Sequence, residues 1–381
     1  MKTKITFITL VFFIAASILL VSCGQQKDKW KGTIEEEDGV TVVKNPAQPI
    51  YSKDVFKLEE DLTIENVEED EGFTFQDIMH LAVDDDENIY ASDSKAAFIK
   101  VFDKTGNYLR TIGKKGQGPG EFSYPFEILV LPQGELMVND LYQLRVHFFS
   151  LDGKFLRQFS NSTMAMFRRP RVDSEGHIIV GHVNVGDPIE AVLKKLDSDL
   201  NPVLTLATRP VVSKPPTIIE YFEIRRSTNL VWDVAMEDNI VWGVFNKYEI
   251  FVHNPEGKLI RKIVREYDGI EITKNEEEEL IKDWLGNNPV PPQWTLKFPK
   301  EYPPFIRFTC DEEGRIFVQT YEKTEDEEED YYDVFDPEGK YIVRIFLKYR
   351  PQVWKNKKLY MIEENEEGFQ VVKRYKVTWS F

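Results

Sequence analysis

Cysteine is nearly absent: Cys23 and Cys310 are the only two in 381 residues. With Cys23 modified, as argued below, Cys310 has no intrachain partner and no disulfide framework holds the fold. Histidine is almost as scarce, with five copies: His80, His147, His177, His182 and His253. His177 and His182 are five apart in one strand-like run, which puts them on opposite faces and argues against a shared metal. The motifs of common chemistries are missing: there is no His-Glu-x-x-His, no nucleophile elbow and no phosphate loop. Positive charge is in deficit, 48 Lys and Arg against 65 Asp and Glu, for a net charge of -17. Such a surface repels phosphate backbones, so a nucleic-acid partner is not expected.

What is present begins with an address. Lys2 and Lys4 precede an uncharged, mostly apolar run over residues 5–21. About 17 residues is short for a membrane-spanning helix. The run closes on Leu20-Val21-Ser22-Cys23, which resembles the lipobox of bacterial lipoprotein signal peptides. The resemblance implies cleavage before Cys23 and acylation of its thiol and new amine, with palmitate-type chains. Several chains together make membrane anchoring stable where one would be marginal. Gly24 stands where an Asp would signal inner-membrane retention, which tilts the expectation to the outer membrane. Residues 1–22 are thus read as signal peptide, 23–38 as tether and 39–381 as the folded body.

The body is repetitive. One recurring signal is a strand, an acidic or Gly-containing turn and a second strand. It appears at residues 81–90, 129–138, 172–180, 235–241 and 311–318, and weakly at 356–360. The other is an aromatic strand, a turn with Asp and Gly, and a strand, at 101–109, 148–156, 251–259 and 334–342, with a degenerate copy at 196–200. Each pair of signals describes two hairpins, because tight turns need positive φ or side-chain-capped backbone. Two hairpins make a four-stranded unit of roughly 45 residues, the size of a propeller blade. One such sheet cannot cover both faces, and a ring of sheets can. The heads fall near Phe75, Pro125, Arg169, Leu230, Pro304 and Gln352. The expected fold is all-β, a six-bladed β-propeller of four-stranded blades. The sixth blade offers three strands of its own, so an N-terminal strand is expected to close it. The orphan segment at 39–46, with Val40 to Val43 as its apolar centre, is assigned that role.

Residues 113–122, Gly-Lys-Lys-Gly-Gln-Gly-Pro-Gly-Glu-Phe, and 139–149, Asn-Asp-Leu-Tyr-Gln-Leu-Arg-Val-His-Phe-Phe, resemble the linker and strand pair of NHL-repeat propellers. The match is close in the first two blades and confined to turns and apolar pattern elsewhere. The Asn45-Pro46 end of the orphan strand resembles exported six-bladed propeller lipoproteins of bacteria, most of which have no assigned activity.

Two segments interrupt the repeat. Residues 273–285 carry a polar start, an acidic first turn and Leu280, Ile281, Trp284 and Leu285 at the spacing of one helical face. A Pro-rich stretch follows, so 270–303 reads as a helical and looped insertion between blades four and five, either a packing decoration or a lid. The acidic run 325–330 reads as a solvated hairpin tip or a weak calcium site.

Propellers bind ligands at the mouth of the central channel, lined by the innermost strands. Aligning those strands by their turns places His80, Glu127, Arg169, Val231, Arg307 and Arg350 in blade order. Charges inside apolar strands are costly unless wet or paired. Three arginines facing one axis suit carboxylate or phosphate capture, or pair among themselves along a watery channel. Some six-bladed propellers are lactonases or lyases with calcium or zinc in the channel, and calcium needs several oxygen ligands. This ring offers Glu127 and, near it, Asp233. Asp84, Asp85 and Asp86 read as solvated turn formers, and Cys310 as a small buried hydrophobe. The sequence favours a non-catalytic, cofactor-free binding or scaffolding propeller on the cell envelope. It is expected to be a monomer held to the membrane by its lipid, taking a small anionic ligand or a protein partner. The alternative is a metal-dependent hydrolase or lyase of the lactonase-like type.

Overall fold

The acidic turns of the repeat are hydrogen-bonded devices. In the computed structural model the Asp84 carboxylate accepts the Asn88 N–H at 2.8 Å, and Asp173 accepts that of His177 at 2.8 Å. Asp311 and Asp336 do the same for Arg315 and Lys340, each at 2.8 Å. A short side-chain acceptor four residues before its donor closes the turn, and this is why the turn positions stand out in the sequence. Gly176 and Gly339 follow in such turns with φ of +86° and +87°, where a side chain would be strained.

The structure describes residues 29–52, 55–65, 75–160, 168–184, 190–210, 218–221, 230–292, 294–323 and 329–381. Cys23, the leader before it and the acidic tip at 324–328 lie outside the described residues. Among the described residues six blade sheets succeed one another along the chain, antiparallel except for one strand added to blade four. Their innermost strands are Ile78–Val83, Pro125–Leu131, Arg168–Val172, Leu230–Val234, Arg307–Cys310 and Pro351–Lys355. Six apolar clusters lie at the six seams. One joins Tyr90 and Ile99 of blade one to Ile128 and Phe149 of blade two, and another joins Tyr360 and Val372 of blade six to Leu81 and Phe102 of blade one. A cluster at each seam, the last back to the first, is a closed ring whose core is shared between neighbours.

The closing strand differs from the one expected. The last blade consists of Pro351–Lys355, Lys358–Glu364, Gln370–Trp379 and an N-terminal strand, Phe56–Ile64. The segment Val40–Asn45 instead lies parallel against Leu259–Arg265 at the outer edge of blade four, with Val43 beside Ile263. Numbered in chain order, Thr33–Glu37 is β1, Val40–Asn45 is β2 and Phe56–Ile64 is β3. β1 pairs antiparallel with β2, so blade four has six strands, and β1 lies within the stretch read as tether. The reason lies in Asn45. Its side-chain amide donates to the Gly339 and Val264 carbonyls at 2.9 and 3.3 Å and accepts the Tyr341 N–H at 2.7 Å. One side chain thereby satisfies backbone on blades four and five, which fixes β2 at that seam. The chain then stitches along blade five through the N–H groups of Ile50 and Tyr51 before β3 reaches blade six. β3 carries what the last blade needs: Asp61 pairs with the Arg374 guanidinium at 2.7 Å, and Phe56 and Leu58 pack on the seam of blades five and six.

The expected helix is present as α1, Lys274–Leu285, between blades four and five. Thr273 caps it, and Glu276 completes a capping box. Thr295–Lys297 of the same insertion pairs with Ile218–Glu220 from the link between blades three and four. Tyr221 ties the two together, stacking on Phe298 at 4.6 Å and donating to the Leu280 carbonyl at 2.9 Å. Among the described residues no helix is long and apolar enough to cross a membrane.

Candidate functional site

In a four-stranded meander, the turns after the first and third strands lie at one end of the blade. The middle turn and the link to the next blade lie at the other. The α1 insertion and the link between blades three and four both join one blade to the next, so they rise from the linking face. The innermost strands start at that face, and His80, Glu127, Arg307 and Arg350 sit at or near those starts.

The structure brings most of the expected ring together and shifts its register at two blades. His80 and Glu127 are deep in the protein, as are Arg307 and Arg350, although the axis leaves part of each arginine open. Burial, with Arg171 and Arg350 nearby, pushes the His80 imidazole down to about 3, so it is neutral at physiological pH. Its ring bonds the Ile128 carbonyl. Burial raises the Glu127 carboxyl, opposed by the Arg169 N–H and by Arg171, Arg169 and Arg350. Burial lowers Arg307, and burial plus the neighbouring Arg307 and Arg171 pushes Arg350 down to about 9. Burial is the largest cause at Arg350, with Tyr332 and Glu127 pulling the other way.

In blade three the strand bulges between Arg168 and Arg171, and Arg169 adopts a left-handed φ of +52°. The bulge passes the axial role two residues on. Arg169 gives its backbone N–H to Glu127 Oε1 at 2.8 Å, while Arg171 extends its guanidinium to Asp233 Oδ1 at 2.7 Å. In blade four Val231 is fully buried in the apolar seam with blade five, and Asp233 carries the polar contact. Asp233 also accepts the Cys310 N–H at 3.0 Å, joining blades three, four and five. Cys310 is a buried free thiol, pushed up by burial and then by Asp233 and Asp311.

Two groups the sequence reading missed border the ring. Arg307 pairs across the sheet with Gln319, and Gln319 with Tyr332. Tyr332 is held up by burial and is electrostatically linked to Arg307 and Arg350. Gln319 could have been found, being a polar residue in the apolar run Ile316 to Val318 and opposite Arg307. Tyr332 lies one strand further out, where no inward alignment reaches. At the rim of blade two, Asp140 accepts the N–H groups of Ser123, Tyr124, Tyr142 and Gln143 between 2.6 and 3.2 Å. It thereby holds Tyr142, 70% exposed, stacked on Tyr124 at 4.5 Å.

The metal alternative needs converging ligands. Glu127 and Asp233 are the two acidic groups of the ring, and Asp233 is engaged by Arg171. Among the described residues no three His, Cys, Asp or Glu side chains converge as a metal-binding set. Asp84 is a turn former as expected but buried rather than solvated, its oxygens taken by Asn88 and the Tyr90 hydroxyl.

Comparison with known proteins agrees on the architecture. A family model described as a 6-bladed beta-propeller matches residues 33–167. No curated protein matches the chain. Among solved structures, a protein described as exported, from Bacteroides fragilis, is 11% identical over 89% of this chain and 100% of its own, with a TM-score of 0.57. A virginiamycin B lyase from Staphylococcus aureus is 9% identical over 85% of this chain and 100% of its own, at a TM-score of 0.45. A gluconolactonase from Xanthomonas campestris is 10% identical over 80% and 87%, at 0.41. Six sheets, six shared seams and a matching family model agree: this chain is a six-bladed β-propeller of four-stranded blades, with two further strands on the edge of blade four, closed by its own N-terminal strand.

Proposed function

We propose that this protein is a cell-envelope lipoprotein, anchored through Cys23 in the outer membrane, whose propeller binds an anionic ligand at the linking-face mouth of its channel without catalysing a reaction. The observation that carries the reading is the convergence of Arg171, Arg307 and Arg350 against Glu127 and Asp233. Asp233 already neutralises Arg171, which leaves Arg307 and Arg350 with buried Glu127 and half-buried Asp330 as their acidic neighbours, inside a molecule whose net charge is -17. A bound anion would offset the cost of holding Arg307 and Arg350 together out of bulk water. The lipobox at residues 20–23 supports the location, and the exported character of the Bacteroides fragilis protein agrees with it.

The test uses the full chain, made with its leader and purified in detergent. Labelled palmitate should enter the protein and be absent from Cys23→Ala. Calorimetric titration with phosphate and with succinate should detect binding that Arg307→Gln and Arg350→Gln each weaken at least tenfold. An unlabelled protein would remove the anchor. Binding indifferent to both arginines, or no binding of either anion or of a hydroxylated acid, would remove the site.

A further inference from the structure

A cleft of about 800 Å³, lined by none of the axial groups, runs along the outer edge of blade five. The sheet of that blade ends with Tyr341–Leu347, which pairs among the described residues with Asp330–Phe335. On its outer side the chain between β2 and β3 engages two residues of the edge. There the N–H groups of Ile50 and Tyr51 donate to the Tyr341 and Ile342 carbonyls at 3.1 and 2.8 Å. The five residues Val343–Leu347 that follow all line the cleft. Successive side chains of a strand point to opposite faces, so a cavity lined by five in a row wraps the edge itself rather than one face of the sheet. An extended segment of five residues fills roughly 17 Å by 4.8 Å by 10 Å, on the order of the space there.

The two sides of this edge differ in chemistry. Val343, Ile345 and Leu347 belong to the seam with blade six, where Tyr51, Phe56 and Leu58 are only partly buried. Phe346, 53% exposed, points the other way and is directly opposite Tyr331 on the neighbouring strand. Tyr267 lines the cleft with them. Arg265 and Arg344 are there too, and both are already matched. Each pairs with the fully buried Asp333, at 3.0 and 2.8 Å, and Arg344 also with Glu322. Glu266 and Asp268 add two exposed carboxylates at the rim. One wall is thus apolar, and the other is aromatic and acidic. The molecule supplies its own precedent for covering such an edge, since β2 is an extended segment laid against the outer strand of blade four.

We propose that this cleft is a strand-acceptor site: it takes an extended segment of a partner protein in which lysine or arginine alternates with apolar residues, added to the sheet of blade five at Val343–Leu347. Main-chain hydrogen bonds to the open edge give affinity common to all extended chains, and alternate side chains give selectivity. The apolar set covers Phe56 and Leu58. The basic set reaches Glu266 and Asp268, its stems lying on Tyr267, Tyr331 and Phe346 as cations lie on aromatic faces. A segment with carboxylates in those places is repelled. The site is separate from the channel mouth and stands or falls without it.

The experiment is fluorescence anisotropy on the full chain in detergent at low salt, with labelled heptapeptides blocked at both ends. The first alternates valine and lysine, beginning and ending on valine. The second carries glutamate for lysine, and the third has the composition of the first with its lysines in one block. The alternating lysine peptide should bind at least tenfold tighter than either. Methylating alternate backbone nitrogens should weaken it tenfold or more in one phase and under threefold in the other, because only every second N–H of an added strand faces the sheet. Glu266→Lys combined with Asp268→Lys should weaken the lysine peptide at least tenfold and strengthen the glutamate peptide. Phe346→Ala should weaken the lysine peptide three- to tenfold. Both variants should melt with the parent, since all three side chains are exposed. If block and alternating lysine peptides bind alike, attraction to acidic charge is all there is and the strand site falls. Equal effects of the two methylation phases, or no binding at about 1 mM peptide, overturn it as well.

Discussion

His147 is fully buried with neither ring nitrogen hydrogen-bonded, walled by Phe122 at 5.3 Å, Phe155 at 6.3 Å and Phe149 at 6.4 Å. Burial pushes its imidazole down to about 4 from an ordinary 6.5, against a smaller upward pull from Asp140. A base depressed in the folded state contributes stability above its unfolded value, and that contribution is lost as pH falls through the folded one. From pH 6.5 to 4 the native protein should therefore lose roughly 3 kcal/mol through this residue. His147→Phe keeps the aromatic packing and removes the proton. Its melting temperature should fall less than that of the parent across this window, and parallel curves would show that His147 does not titrate as described. The axial groups obey the same logic of desolvation. His80 is neutral for the same reason, and this turns a potential cation into an acceptor.

At the scale of elements, β3 is held to the last strand by an antiparallel ladder that shifts register once, between Arg374 and Tyr375, and by the partly buried pair of Asp61 and Arg374. Arg374 also donates to the Lys104 carbonyl, which links the last blade to the first. Asp61→Ala strands that guanidinium and should cost roughly 3 kcal/mol, read as a lower urea midpoint. A loss under half a kcal/mol would mean the strand closes the ring by backbone pairing alone. The number of blades, their heads and the capped helix were readable in the sequence because each rests on local chemistry: an Asp four residues before its donor, an apolar run of strand length, a Thr three residues before a Glu. The identity of the closing strand was not. β2 and β3 both look like strands, and what separates them is remote: Asn45 finds Gly339 and Tyr341, and Asp61 finds Arg374. Turn alignment and apolar pattern placed His80, Glu127, Arg307 and Arg350, although the inner strands of blades one, two and six also shift register beside those positions. The alignment slipped at Arg169, where the left-handed residue at the bulge leaves the guanidinium contact to Arg171, and at Val231, in a strand without a shift, where the polar contact belongs to Asp233.

For the whole molecule, six sheets share six seams, and a single lock where the ends of the ring meet acts on all of them. Lys57 and Thr378 are directly opposite in the pairing of β3 with Gln370–Trp379. Facing strand positions lie within reach of a disulfide. A Lys57→Cys, Thr378→Cys variant should oxidise without disturbing buried Cys310. It should gain up to about 5 kcal/mol from closing a loop of some 320 residues, seen as a raised melting temperature that reductant reverses. An oxidised variant with no gain would indicate that the ring ends stay joined in the unfolding transition state and beyond it.

The N-terminal strap touches blade four through β2, blade five through Ile50 and Tyr51, and blade six through β3. Every one of those partners lies more than 200 positions further along the chain. β2 and β3 therefore wait for strands made more than 200 residues later. Contacts so distant in sequence form slowly, and bare strand edges are sticky while they wait. Refolding of this protein should be governed by that final zipping, and its yield should fall as concentration rises.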